Sequence, residues 1–578
     1  MLNIMVDGLS VLYLYKEGVL FFFATTLGYG FLTIKYATDH EMDARLKWLA
    51  ALGVGSIVLC VISCAVVLLG YFWPSLLRPA SFVILFFGIF ILLKGFWSGE
   101  LKMAFDTRLV IGCICLFLLL LVRLSFLKHI ILPPYSDSAV HYQIVLGFLH
   151  PDETINSKIS LGNVFNNYYH FGFHSLASWL VSITEFAPAD VISLLGQLFL
   201  VIAPISVFLL AYVITKRAEG ALFAGLLAAI GWLMPAFAVN WGKFPAVASL
   251  ALTPAALALL LLGSRSVVKK TILLLCGLVL LMGLTLIHTR IIVCVLLAVI
   301  SFFLSNKLRI EDKLGFAQSI RLSLFYVLSL WPLSQLLVDF YKSLVMLIIL
   351  LCLLPFAFQT YPRLSMGIFF YTFGLWLIVL APTLLNENAR TLLDRQFLEI
   401  MLYIPFSVIG GAGFAGWMEK LPPTGILRSL TVLIFAGGVI FNFLQTNSVY
   451  PDPCCDYFKE GDQLAFQWIR ENSPEHTLVI ISAFNDNGKI VGTDSGIWIY
   501  PLLAQSTNKL LFNTNWDSLD TIEEICYFGA KQTYIYMGGR QYSFANAQLS
   551  QEKWITLVFK AGETVIYQVS GCPNKPQL

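Results

Sequence analysis

What most restricts this chain is the repeated return of uninterrupted apolar stretches about 20 residues long. Wound as helices, such stretches match the hydrocarbon thickness of a bilayer. Hydrocarbon offers no partner to a free backbone N–H or C=O, so a spanning segment must satisfy its own. Hydrophobic residues make up 58% of the chain and charged ones only 12%, roughly half the charge of a soluble domain. The fold class expected is a polytopic α-helical membrane protein. Spans fall at 10–34, 48–73, 79–96, 109–132, 189–214, 219–239, 244–263, 270–287, 291–305, 322–340, 343–358, 366–385, 396–417 and 427–446. The stretch Phe171–Ile183 is apolar but short, and reads as a half-depth or interfacial helix.

Charge placement orders these spans. With Phe171–Ile183 not crossing, one face receives Lys35, Arg45, Lys47, Lys94, Lys102, Arg108, Lys216, Arg217, Arg265, Lys269 and Lys270. It also takes Lys307, Arg309, Lys313, Arg321, Arg363, Lys420 and Arg428. That excess marks the cytoplasmic face, giving about 14 spans with both termini outside. No basic start, short apolar core and small-residue cleavage site opens the chain, so the first helix is expected to be retained. The net charge is only +3, and no basic patch interleaved with aromatics points to nucleic acid. Absence of any Asn-x-Ser/Thr acceptor favours a bacterial protein over a secretory-pathway one.

From about Gln445 the composition changes. Gly461–Glu471 and Ser518–Phe528 have helical spacing, whereas Thr477–Ser482, Thr533–Met537, Ile555–Phe559 and Thr564–Val569 read as strands. A small α/β domain outside the membrane is expected. The organisation is therefore N-terminal helices over 1–108, a membrane core over 109–446 with a large outer loop at 133–188, and the α/β domain over 447–578. Seven cysteines (Cys60, Cys64, Cys113, Cys115, Cys276, Cys294, Cys352) lie in apolar runs and read as small hydrophobes. Cys454, Cys455, Cys526 and Cys572 lie in the tail, where disulfides form if it is exported; the pairing is left open.

Candidate chemistry gathers on the outer face. Asp137 and His141, in DSAVHYQ, share one face of a helix if that segment is helical. A carboxylate at the membrane surface can serve as general base or hold a divalent cation, Mg or Mn. The competing reading of Asp137 is a helix N-cap. His170 and His174 are again one turn apart, among aromatics that suit either an interfacial belt or a binding site. Lys243 in NWGK, His288 and Arg290 in a tight turn, and Arg390 and Arg395 in 386–395 all sit at short outer turns. Four cations so placed suit a phosphate or pyrophosphate; the alternatives are snorkelling, or pairing of Arg395 with Asp394 or Glu399. In the tail, Asp494 and Trp498 are candidates for a saccharide cleft.

Three segments carry a family resemblance: the DSAVHYQ loop, NNYYHFGFHSLASWLVSITEFAPADVISLLGQLFLVIAPISVFLLAYVITKR, and DRQFLEIMLYIPFSVIGGAGF. They resemble the GT-C superfamily of polyprenyl-phosphate-dependent membrane glycosyltransferases, and the tail, with DQLAFQWIRENSP and GTDSGIWIYPLLAQ, is similar to the exoplasmic α/β domain of some bacterial members. The resemblance implies inverting transfer of a sugar from a polyprenyl-phosphate donor to a glycan, lipid or protein acceptor at the outer face of a bacterial plasma (inner) membrane. By that analogy Asp137, with His141, is catalytic, as base or metal ligand. Arg395, Arg390, Arg290 and Lys243 hold the donor phosphate, and His170, His174 and His288 orient substrate. Other classes remain open: a transporter or flippase of lipid-linked glycans, a polysaccharide polymerase or ligase, or a non-catalytic envelope-assembly protein. A flippase calls for broken helices with midplane charges, whereas the charges here cluster at the ends of spans.

Overall fold

The computed structural model describes residues 2–37, 44–99, 107–150, 169–264, 270–308, 310–385, 391–423, 425–446, 449–474, 476–486, 488–527, 532–540 and 543–570. Among them, ten helices are long and apolar enough to cross a membrane. The expected spans at 270–287, 291–305 and 343–358 appear as Lys270–Ile287, Ile291–Lys307 and Leu344–Thr360. The expected span 322–340 is not continuous. It breaks into Phe316–Ser329, the 3-10 turn Trp331–Leu333, and Ser334–Phe340, because Pro332 cannot donate to the turn before it. The first expected span is likewise divided, into Leu2–Leu14 and Lys16–Ala37.

Helices Pro188–Thr215 and Arg395–Lys420 form the interior and are almost wholly buried, whereas the peripheral Ile426–Thr446 is largely exposed. Small residues allow close crossings there, as is common between membrane helices. A Cβ at Gly411 would lie 2.5 Å from the Gly220 carbonyl oxygen.

Ion pairs sort cleanly by face. Arg217 and Lys313 reach Glu419 (3.2 and 3.5 Å), Arg428 reaches Glu219 (2.8 Å) and Arg363 reaches Asp312 (3.1 Å), all on the basic face. Lys243–Asp137, Arg290–Asp394, Arg395–Asp339, Arg78–Glu185 and His129–Asp7 lie at the other end, the loop face. Helix Gly172–Thr184 has both ends at the loop face: the His170 ring approaches that of His288 and Glu185 pairs with Arg78. Residues 172–180 between them are buried. A continuous helix of 13 residues with both ends at one face lies along that end of the bundle rather than crossing it.

The tail forms one six-stranded sheet. β1 (Thr477–Asp486) pairs antiparallel with β2 (Lys489–Gly492), and parallel with β3 (Ser506–Leu511) and β4 (Gln532–Gly538). β5 (Ile555–Ala561) and β6 (Thr564–Val569) form a hairpin joined antiparallel to β4. Alternation along the strands separates two cores: Val479, Ile481, Tyr534, Tyr536 and Ile566 face helix Glu460–Asn472, and Ile480, Ile535, Met537, Val565 and Tyr567 face the other way. The first core also takes in Ala139, with Tyr142 packed against it. The sheet domain is thereby seated on the loop helix Ser136–Leu149. Cys454 and Cys455 are joined by a disulfide and Cys526 is also disulfide-bonded, while all seven cysteines of the apolar runs are free thiols.

Candidate functional site

The site is built where loop-face turns meet. Helix Ser136–Leu149 begins with no side-chain cap; its cap residue, Tyr135, has φ +66°. A tyrosine held there costs about 1–3 kcal/mol. Its neighbours hold it: the Tyr135 N–H donates to the Cys455 carbonyl at 2.8 Å, and its ring lies 5.6 Å from that of Tyr457. Arg540 braces the same segment from above, stacking on Tyr457 and donating to the carbonyls of Pro453, Cys454 and Asp456.

Asp137, two residues on, does not cap this helix. Its Oδ2 accepts from Lys243 Nζ at 2.6 Å. Lys243 is brought there by the turn 240–243, docked tightly on the loop helix. Gly242 has φ +64°, and a Cβ on it would lie 2.6 Å from Ser138 Oγ, so both backbone and space demand glycine. The Gly242 carbonyl accepts from His141 Nε2 at 2.9 Å, and Asn240 Oδ1 accepts from the Asp452 N–H at 2.9 Å.

Beneath this pair lie four imidazoles. His141 Nδ1 is 2.9 Å from His174 Nε2. His170 and His288 have ring centroids 4.3 Å apart, and His288 stacks on Phe397 at 4.8 Å. Burial pushes His141 down to about 4, an effect only partly offset by the nearby Asp137 carboxylate. Burial, with neighbouring His141 and Arg290, also lowers His170. These rings are neutral at neutral pH and act as hydrogen-bonding groups rather than cations.

Arg290 and Asp394 form an ion pair on the adjoining rim. Asp394 also caps helix Arg395–Met401, its Oδ1 accepting from the Phe397 N–H at 2.7 Å. Asp137, Lys243, Arg290 and Asp394 are each partly exposed, whereas His141 and His174 are buried. The result is a charged mouth over a buried imidazole floor.

The structure thus brings together Asp137, His141, His170, His174, Lys243, His288 and Arg290. Arg395 is on the same face but engaged elsewhere, with Asp339 Oδ2 at 2.6 Å and Glu399 Oε1 at 2.8 Å; the pairing with Glu399 left open from the sequence is the arrangement found. Arg390 lies outside the described residues. Asp494 and Trp498 do not line a cleft. Asp494 is buried and accepts from Ser482, Ser543 and the Gly496 and Gly538 N–H groups (2.8–3.0 Å), and Trp498 is fully buried. Among the described residues, no three His, Cys, Asp or Glu side chains gather closely enough to hold a metal ion. Among the described residues, the Asp137 carboxylate is paired with the Lys243 ammonium.

Sequence reasoning missed Tyr135, Ser138, Gly242, Asp339 and Phe397. The glycine in NWGK and an acid at the end of a span were readable signals for Gly242 and Asp339. Nothing in the sequence marks Phe397 or Tyr135, whose roles arise from segments far along the chain.

Fold and site define a multi-pass helical membrane protein with a polar, loop-face cluster under a sheet domain. A family model described as "Family of unknown function (DUF6541)" matches residues 41–328, just under half of the chain. No curated protein matches. Among solved structures, the single-particle cryo-EM structure of the arabinofuranosyltransferase AftD from mycobacteria is similar over 81% of this chain and 40% of that one, with 13% identity and a TM-score of 0.42. This chain thus spans well under two thirds of that protein, and no residue role is carried across.

Proposed function

We propose that this protein is a membrane glycosyltransferase that moves a sugar, with inversion, from a polyprenyl-phosphate donor to an acceptor hydroxyl at the outer face of a bacterial plasma membrane. One observation carries the reading: distant turns place the Asp137 carboxylate beside Lys243, with the Arg290–Asp394 pair on the adjoining rim, at the end of the bundle where a lipid-borne phosphate would lie. Two features support an outer location for that face. Lys and Arg concentrate at the opposite end, and the described tail cysteines are oxidised while the membrane thiols are free.

In this mechanism the Asp137 carboxylate takes the proton from the acceptor hydroxyl. The oxygen bonds to the anomeric carbon opposite the phosphate, and the polyprenyl phosphate leaves with the electron pair. Lys243 and Arg290 balance its charge. Both are already held by carboxylates, so an arriving phosphate competes with Asp137 for the Lys243 ammonium and frees the base as it binds. Arg395, held by Asp339 and Glu399, lies farther along this face.

The test uses membranes supplied with labelled polyprenyl-phosphate sugars. Asp137→Asn is expected to lower transfer at least 100-fold at equal protein level, in line with the loss of a general base. Full transfer by that variant would refute the assignment.

A further inference from the structure

We infer that His174 and His141 are positioning residues that hold Lys243 against Asp137, rather than groups that touch substrate. The inference rests on the site reading above but is tested independently of it. The Gly242 carbonyl can only accept, so His141 Nε2 carries its proton. A neutral His141 then has a bare Nδ1, which accepts from His174 Nε2–H at 2.9 Å. Both rings are buried, His174 completely.

The chain of bonds therefore runs His174, His141, Gly242, and through one peptide to Lys243, whose ammonium reaches Asp137 at 2.6 Å. His141 spends both nitrogens on it and has none for a substrate. The His141 bond is what ties the Gly242 carbonyl to the loop helix. Among the described residues, the charged or titratable groups around the pair include Asp137, Tyr169, Lys243, His170, His288 and Arg290; none of them replaces the His141–Gly242 bond.

Glutamine places an amide N–H near the position of Nε2, and asparagine near that of Nδ1. His174→Gln should keep the donor to His141, and His174→Asn should lose it. The full-length protein, purified in detergent and monodisperse by gel filtration, is treated with N-hydroxysuccinimidyl acetate, and acetylation of Lys243 is followed by peptide mass spectrometry. Asp137→Asn, which releases the ammonium directly, sets the upper rate. His174→Asn is expected to acetylate Lys243 at least threefold faster than wild type, and His174→Gln within a factor of two of it. Equal rates in wild type and His174→Asn, or equally raised rates in both variants, would overturn the inference. If His174→Asn does not fold, His141→Gln against His141→Asn decides the matter at the next link, with the same expected contrast. Because the readout is lysine reactivity, it stands or falls apart from glycosyl transfer.

Discussion

At the scale of single residues, the site turns on imidazoles kept neutral by burial. The sign of the pH dependence follows for His141. Unfolded, it takes a proton as the pH falls through about 6.5; folded, it resists until about 4. The unfolded chain therefore binds more protons between those values, and stability present above about pH 6.5 is lost as the pH falls towards 4. For His141 alone the loss is on the order of 2–3 kcal/mol. Thermal melts in detergent at pH 7.5 and 5 should show a drop that shrinks in His141→Gln, which cannot titrate; an unchanged drop would place the sensitivity elsewhere. Asp137 was readable from its place after an apolar run, as were the cations at outer turns. That Lys243, 106 residues away, is the partner of Asp137 was not readable. A cation of that kind fits lipid headgroups, phosphate or a carboxylate equally well until its neighbours are fixed.

At the scale of elements, length and apolarity decide more than local propensity. The spans were legible because a bilayer imposes one length on all of them, and the tail strands because residues alternate between two packed faces. Pro332 in the span expected at 322–340 was the visible warning that it breaks. The short strands β2 and β3 were not expected, since four to six residues of mixed polarity resemble turns. The interior crossing between helices Ala218–Leu226 and Tyr403–Lys420 depends on glycine. Gly411→Val would drive a side chain into the Gly220 carbonyl and Ala224, costing about 1–3 kcal/mol as an overpacked contact. Gly437→Val, in a helix where a Cβ meets nothing within 4 Å, is the matched control. The first variant should lower the detergent melting temperature by several degrees and the second should leave it nearly unchanged; equal effects would discount the crossing.

At the scale of the whole molecule, two layers of ion pairs cap the bundle, and the sheet domain rests on one of them. If the loop face is outward, Glu460→Cys should react with a membrane-impermeant maleimide on intact cells, and Lys313→Cys only after lysis. The reverse pattern would invert the topology and remove the site from the outer leaflet. The sequence by itself determined that the chain spans a membrane many times, which ends of its spans share a face, and that an α/β domain follows. Those properties depend on hydropathy and charge, which act locally or sum along the chain. Only the tertiary structure decided which acid meets which base, that the imidazoles gather beneath the charged rim, and that the carbonyl of Cys455 holds Tyr135 in place beside Asp137. Such contacts join residues tens to hundreds of positions apart, and their geometry exists only once the helices have packed.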